Sequence, residues 1–262
     1  MHLNLELVGR GQTAEVYAWG EHEVLKLFYR SEEAEHEYRN ALLVGELNVR
    51  CPRVTELRTY GDRRGIVYER IDGPTMLEKI EPAEASLERH AVLMAELQAE
   101  LHQLGCPYPA NMRAELRRRL EWAEPLSAQG KREIQRLLDE MPDGSRLCHF
   151  DLHPGNIMLS KNGPVLIDWN NALVGDPAAD AARTAMMLNS TSMPPDAPEW
   201  VRNMEKRKRF HDLYLAEYQR ISGAAVHDIE VWMAPNLAVR LTELGGAERD
   251  EIVRKLGDCG IV

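Results

Sequence analysis

A run of eight residues in the second half of the chain, HFDLHPGN at 149–156, constrains the fold and chemistry more than any other feature. It is followed by a short apolar, strand-like segment that ends at Asp168. Asp151 can accept the proton of an attacking hydroxyl, while the amide of Asn156 and the carboxylate of Asp168 are hard oxygen ligands that suit Mg²⁺. Pro154-Gly155 permits a sharp turn, which is expected to bring Asp151 and Asn156 to one edge. The pattern predicts a phosphoryl-transfer site.

Composition and charge exclude several classes of protein. The chain has 262 residues, of which 44% are hydrophobic and 28% charged, values that are typical of globular proteins and argue against disorder. Lysine and arginine number 32 and the acids 42, so the formal net charge is −10. This sign disfavours a nucleic-acid partner, because such binding depends on positive side chains against phosphates. It suits a cationic small molecule.

The four cysteines carry no metal or disulfide signature. Cys51, Cys106, Cys148 and Cys259 are too far apart for a CxxC pair. Isolated thiols are typical of a reducing compartment, so we expect a cytoplasmic protein. The N-terminal residues lack the apolar core of a signal peptide, and no apolar run approaches the roughly 18 residues that a bilayer span needs. We therefore expect no membrane partner.

Hydrophobic patterns divide the chain into two parts. Before residue 72 most of them alternate as in β-strands, with one helix predicted from Ser31 to Gly45. The predicted strands are residues 3–7, 14–19, 23–28, 54–60 and 66–71. Beyond a connector at 72–74, apolar residues recur every three or four positions as in helices, apart from a short strand-like stretch. We predict a nucleotide-binding lobe at 1–72 and a helical lobe at 73–262 that holds the catalytic loop.

The motifs HFDLHPGN, LIDW and GDPAAD, in that order, resemble the aminoglycoside phosphotransferase and choline kinase branch of the protein-kinase-like fold. The resemblance runs from Gly9 to about Asp180. It implies an α+β fold of two lobes, a small β-rich N-terminal lobe and a larger helical C-terminal lobe. It also implies a small-molecule kinase that uses ATP and Mg²⁺, with Asp151 as the catalytic base and Asn156 and Asp168 as metal ligands. No protein substrate is expected.

The same resemblance assigns contacts with the ATP phosphates. Residues 9–14 are similar to a Gly-rich loop, although they lack a third glycine, and we expect the two glycines to break the first strand. The backbone N–H groups near Gly11 and the hydroxyl of Thr13 would cover the phosphates. Lys26 is similar to the strand lysine that contacts the α- and β-phosphates, and Glu37 from the following helix would pair with it.

The resemblance also assigns a hinge, the segment that contacts adenine, and a residue that supports the catalytic loop. The backbone of Glu69 and Ile71 would bond the adenine, with Tyr68 in the gatekeeper position. Because the phenol ring leaves little room for guanine to shift deeper, we expect ATP to be preferred over GTP. Asp180 would brace the catalytic loop. Trp169-Asn170 replaces the Phe-Gly of protein kinases, so the conformational switch built on that pair is not expected.

Two other functions stay open from the sequence. A nucleotide-binding module without turnover would keep this fold, although every expected catalytic residue is present. A Zn-dependent hydrolase is the second, because His149, Asp151 and His153 lie close together and metallohydrolases use such clusters. The acceptor is open between an aminoglycoside, another cationic antibiotic, choline and an amino alcohol. Its site is expected between the catalytic loop and the helices near 108–141 and 196–232.

Overall fold

The computed structural model describes residues 5–109, 111–190 and 197–261. The strands are β1 (Leu7–Arg10), β2 (Ala14–Ala18), β3 (Glu23–Phe28), β4 (Val54–Tyr60), β5 (Arg63–Glu69), β6 (Arg146–Cys148), β7 (Ile157–Ser160), β8 (Gly163–Leu166) and β9 (Leu173–Gly175). The helices are α1 (Ser31–Gly45), α2 (Met76–Lys79), α3 (Glu84–Leu101), α4 (Met112–Leu120), α5 (Ala128–Glu140), α6 (Pro177–Leu188), α7 (Glu199–Arg202), α8 (Met204–Ser222), α9 (Val226–Glu230), α10 (Met233–Arg240) and α11 (Gly246–Asp258).

The chain divides into two compact units. The first comprises the described residues up to Lys79 together with Pro154–Ala172. The second comprises Ile80–His153 and the described residues from Leu173 onward. The first unit thus includes β7 and β8, which come from the second half of the sequence. The lobe boundary at residues 72 and 73 stays a prediction. Among the described residues, no helix is long and apolar enough to cross a membrane.

The sheet of the first unit is antiparallel, with strand order β1-β2-β3-β5-β4. Successive side chains of a strand point to opposite faces. In β3, Leu25 and Leu27 belong to the core cluster on one face, whereas Phe28 packs on the other with Ala34 of α1. Lys26 alternates with Leu25 and Leu27, so it lies on the face that α1 covers. Strand periodicity therefore places this lysine beside the helix.

The first strand was predicted to break at Gly9-Arg10-Gly11, and it ends at Arg10, directly before Gly11, rather than at Gly9. Strand β1 runs through Gly9, whose Cα pairs with Val16 beside a shift in register. An extra residue is accommodated at such a bulge, and glycine tolerates the local bend. Residue 3, where that strand was predicted to start, lies outside the described residues. The β4–β5 turn is also shorter than predicted, because Tyr60 pairs directly with Arg63.

The second unit is mainly helical. Helices α3 and α8 pack along each other and bury Met94 on one side and Phe210, Tyr214 and Tyr218 on the other. A two-stranded sheet of β6 and β9 lies in the same unit. Strand β6 leads directly into residues 149–153, so this short sheet sets the direction in which the chain enters the HFDLHPGN motif.

Candidate active site

In the first unit, Lys26, Glu37 and Asp168 form one charged group. The Nζ atom of Lys26 lies 2.7 Å from Oε2 of Glu37 and 3.0 Å from Oδ1 of Asp168. Strand β3 places the lysine, α1 places Glu37, and the residues after β8 place Asp168. The pairing of Lys26 with Glu37 expected from the resemblance is present, and it joins residues that are distant in sequence.

Burial and charge pairing act in opposite directions on the pKa values of this group. Burial alone would lower the pKa of Lys26, but the carboxylates of Glu37 and Asp168 overcome it and raise that pKa above its ordinary value. Burial raises the pKa of Glu37, against the opposing effect of Lys26. The hydroxyl of Tyr68 donates to Oε1 of Glu37 at 2.9 Å. One ammonium therefore faces two carboxylates, and the excess negative charge favours a further cation.

Asn156 and Asp168 lie at the same end of one hairpin. Strands β7 and β8 are antiparallel, with Ile157 opposite Leu166, and Asn156 precedes the first strand while Asp168 follows the second. The N–H of Ile167 donates to the carbonyl of Asn156 at 3.0 Å. An amide and a carboxylate oxygen are donors that Mg²⁺ accepts, so the donor set fits this ion.

The backbone at Asp168 is in the left-handed region, with φ 66° and ψ 69°. Few non-glycine residues adopt this conformation, and such strain concentrates at functional sites. The side-chain amide of Asn40 in α1 donates to the carbonyls of Trp169 at 3.0 Å and Asn170 at 3.2 Å. These bonds fix the turn that follows Asp168. Asn40 lies in no recognisable motif, so its contact with this turn could not be predicted from the sequence.

The remaining nucleotide-contact residues predicted from the resemblance lie in turns and at strand ends of the first unit. Gly11 and Thr13 form the turn from β1 to β2, where the N–H of Gly11 donates to the carbonyl of Ala14 at 2.9 Å. Glu69 ends β5, and its N–H donates to a backbone carbonyl at 2.8 Å. Among the described residues, no hydrogen-bond partner accepts from the N–H of Ile71. The contact of Ile71 with adenine stays a prediction.

In the second unit, the backbone around Asp151 is held by buried polar side chains. The carboxylate of Asp180 accepts hydrogen bonds from the N–H groups of His149 at 3.0 Å and Phe150 at 2.8 Å. A ring nitrogen of His102 lies 3.0 Å from Asp180. Burial alone would raise the pKa of Asp180, but its hydrogen bond with His102 helps to lower it. Asp180 is thus an ionised brace of the segment that presents Asp151.

Comparison with known protein families identifies the chain. The model of the phosphotransferase enzyme family, APH, matches residues 4–222, which is most of the sequence. The protein belongs to this phosphotransferase family. The membership confirms the predicted family and the prediction of a phosphotransferase enzyme.

Solved structures with similar folds include several aminoglycoside phosphotransferases. The 3'-phosphotransferase of type VIII has a TM-score of 0.67 and 21% identity, with 91% of this chain and 93% of that chain covered. APH(4)-Ia, in a ternary complex with ADP and hygromycin B, has a TM-score of 0.62 and 14% identity, with 98% and 92% covered. APH(2")-IIa, with streptomycin and ATP, has a TM-score of 0.62 and 16% identity, with 98% and 91% covered. These similarities confirm the predicted kinase-like α+β fold.

One curated protein matches over a short segment. The uncharacterized protein YcbJ of Bacillus subtilis (strain 168) is 51% identical over 41 residues. That segment is 15% of this phosphotransferase and 13% of YcbJ. The similarity therefore adds no assignment of activity.

The zinc-dependent hydrolase can be checked against the residues whose ligand atoms lie close enough together to hold a metal ion. Among the described residues, the three-ligand group is His102, Cys148 and Asp180, whose ligand atoms lie within 4.8 Å of one another. His149 and His153 are not members of it. The carboxylate of Asp180 already accepts two backbone hydrogen bonds, so this cluster is accounted for as the brace of the catalytic segment. Among the described residues, the structure thus gives no three-ligand group of His149, Asp151 and His153, on which the zinc alternative was based.

Two charged residues of the second unit were not predicted from the sequence: Arg183, which contacts the residue before Asp151, and Glu243, which pairs with it. Arg183 is fully buried in α6, and Glu243, which follows α10, bonds it at 2.7 Å. A detectable signal existed for Arg183, because it is the one charged residue in the apolar run AARTAMML. A lone charge in a helix that is otherwise apolar indicates a buried, paired side chain. Glu243 lies beyond the residues that the family model matches.

Proposed function

We propose that this phosphotransferase transfers the γ-phosphoryl group of ATP to a hydroxyl of a small molecule, and that it requires Mg²⁺. The acceptor we propose is a cationic aminoglycoside or amino alcohol. The observation that carries the proposal is the group of Lys26, Glu37 and Asp168, in which one buried ammonium is held between two carboxylates. Such an ammonium, kept in place by Glu37, suits the oxygens of a nucleotide phosphate.

Each residue has a role in this proposal. Asp151 accepts the proton of the acceptor hydroxyl, which directs the oxygen at phosphorus. Lys26, oriented by Glu37, holds the nucleotide phosphates. Asn156 and Asp168 would hold Mg²⁺, which when bound supplies positive charge against the phosphate oxygens.

The other predicted contacts belong to the nucleotide. The turn with Gly11 and Thr13 would cover the phosphates, and the hinge backbone at Glu69 and Ile71 would bond the adenine beside Tyr68. Solved relatives with ATP or ADP support a nucleotide substrate for this chain. The aminoglycosides in the same complexes, together with the net charge of −10, support a cationic acceptor.

A nucleotide-binding module without turnover is the second candidate. It shares the Lys26 group and the hinge but needs no base at Asp151. The ionised brace at Asp180 argues against it, because fixing the backbone beside Asp151 serves transfer rather than nucleotide binding.

A transfer screen tests the proposal. Purified protein is incubated with γ-labelled ATP and Mg²⁺ against panels of aminoglycosides, other cationic antibiotics, choline and amino alcohols, and neutral sugars. We expect label on a cationic acceptor, none after EDTA, and a rate lower by about 10²–10⁴-fold with Asp151→Asn. Transfer of label only to neutral sugars would contradict the proposal that the acceptor is cationic. Nucleotide binding with no transfer to any panel member would favour the module without turnover.

A further inference from the structure

Arg183 contacts the residue that precedes the proposed base. Its Nε donates to the carbonyl of Phe150 at 2.5 Å, and its guanidinium carbon lies 4.8 Å from the centre of the Phe150 ring. A guanidinium offers several donors in one plane and also stacks on aromatic rings. Arg183 therefore holds both the backbone and the side chain of Phe150.

Phe150 needs such support. Its φ of 59° is in the left-handed region, which is costly for a bulky residue and persists only where the surroundings enforce it. Asp180 holds its N–H and Arg183 its carbonyl, while the hydroxyl of Thr184 donates to the carbonyl of Leu152 at 3.1 Å. Positions 180, 183 and 184 share one face of α6, because residues three and four apart are neighbours on a helix. This face fixes the chain on both sides of Asp151.

Glu243 keeps Arg183 in place. Nη2 of Arg183 lies 2.9 Å and 2.7 Å from the two carboxylate oxygens of Glu243. Arg119 and Arg240 bond the same carboxylate at 3.2 Å and 2.6 Å. Burial alone would raise the pKa of Glu243, but Arg183 and Arg240 lower it to about 2, so the carboxylate stays ionised. A fully buried guanidinium needs such a partner, since an uncompensated buried charge is strongly destabilising.

We propose that Arg183, fixed by Glu243, is a positioning residue that holds the Phe150 carbonyl and thereby sets the location of the Asp151 carboxylate during phosphoryl transfer. The inference rests on the proposed function. Arg183 acts through Phe150 rather than on a substrate, so its loss is expected to lower kcat and to leave ATP binding intact. Misplacement of a reacting group by about 1 Å can cost on the order of a hundredfold in rate.

Steady-state kinetics separate positioning from binding. We expect Arg183→Gln to lower kcat by about tenfold or more with the KM for ATP unchanged. Arg183→Lys keeps the charge but cannot bond Phe150 and Glu243 together, so it is expected to recover kcat only in part. Glu243→Gln should lower kcat less than Arg183→Gln. Arg136→Gln, which removes an exposed guanidinium paired with Glu133, is the matched control and should behave as wild type.

Amide hydrogen exchange gives a readout that does not depend on turnover. We expect Arg183→Gln to exchange faster in a peptide covering 147–153, while peptides from α3 and α8 keep wild-type protection. Loss of protection throughout the second unit, with wild-type kcat per folded molecule, would show a purely structural role and overturn the inference. Wild-type kcat and wild-type exchange in Arg183→Gln would overturn it as well.

The proposed function and this inference fail in different ways. A wild-type protein that transfers phosphate to no acceptor contradicts the function, whereas exchange at 147–153 still decides whether Arg183 holds the segment. If Arg183→Gln does not fold, which thermal unfolding reveals, Arg183→Lys and Glu243→Gln carry the test. Unchanged kcat in both would then contradict positioning.

Discussion

Charged side chains have different partners in the two units. In the first unit, Lys26 bonds two carboxylates, so the charges of the candidate site face one another. In the second unit, Asp180 and Arg183 bond the backbone of residues beside Asp151. The first arrangement leaves an excess negative charge for a ligand to meet. The second leaves the charges paired and fixes the chain that carries one reactive carboxylate.

This difference has consequences for substitutions. A side chain that faces a ligand contributes mainly to binding, and its removal is felt when the ligand is present. A buried side chain that holds backbone contributes to the folded state itself, because a buried polar group that loses its partner is costly. Substitution of Asp168, whose side chain is 36% exposed, should therefore act mainly on ligand-dependent stability, whereas substitution of the buried residues Glu37, Asp180 and Arg183 should also change stability without ligand.

The largest expected effect is at Asp151. Asp151→Asn has nearly the same shape but cannot take up the proton, and general-base catalysis contributes about 10²–10⁴-fold to rate. We expect kcat to fall by that factor, while the rise in Tm on adding ATP and Mg²⁺ stays at the wild-type value. Retained turnover on the true acceptor would show that Asp151 is not the base.

The next effect concerns stability in acid. The folded pKa of Glu243, about 2, lies below the ordinary value of 4.5, so its ionisation stabilises the fold above the unfolded pKa. This stabilisation, on the order of 3 kcal/mol, is lost as pH falls from about 5 towards 2. Urea unfolding of wild type and Glu243→Gln should therefore differ at pH 7, differ less at pH 3, and converge only as the pH approaches 2. A difference that is constant with pH would contradict the ionised role of Glu243.

Sequence patterns were sufficient to predict candidate site residues where those residues lie close together in a motif. Asp151 and Asn156 both lie in HFDLHPGN, and Asp168 follows at a spacing typical of the family that the sequence resembles. Lys26 and its partner Glu37 were expected from the resemblance, and the structure pairs them. The overall α+β fold was expected from the resemblance that these motifs carry and from the change of hydrophobic pattern near residue 72.

Residues that act through distant contacts could not be predicted in this way. His102 is far in sequence from Asp180, and Arg183 is far from Glu243. Each pair meets only when the second unit is folded. The bulge at Gly9 was missed because glycine is equally consistent with a turn and with an irregular strand. Tertiary packing determined both outcomes, and no local pattern reports it.

A smaller effect is expected at Asp168 and depends on ligand. A ligand that binds only the folded state stabilises it by about 2.7 kcal/mol at a hundredfold excess over Kd. We expect Asp168→Ala to lose most of the additional Tm rise that Mg²⁺ gives to ATP. Asp62→Ala, in the exposed β4–β5 turn, is the matched control. If Mg²⁺ still added the wild-type rise in Tm to ATP in Asp168→Ala, Asp168 would not be a metal ligand.

The smallest expected effect concerns nucleotide choice, and the structure sharpens it. Tyr68 contributes two separable properties, a buried ring and a hydroxyl that donates to Glu37 at 2.9 Å. Burial and the charge of Glu37 raise the pKa of Tyr68 well above its ordinary value, so the hydroxyl remains a donor at neutral pH. Tyr68→Ala removes both properties, because it also takes a hydrogen bond from the carboxylate that pairs with Lys26.

Tyr68→Phe separates the two properties. If the volume of the ring excludes guanine from a deeper position, Tyr68→Phe should keep the preference for ATP, whereas Tyr68→Ala should relax it. Both variants lose the hydroxyl that donates to Glu37, which orients Lys26 toward either triphosphate. This loss should therefore lower kcat/KM for ATP and for GTP to a similar extent. The measurement is kcat/KM for each nucleotide with wild type and both variants. Equal use of GTP by the wild type would exclude a steric role for the ring, and a relaxed Tyr68→Phe would assign the preference to the hydroxyl.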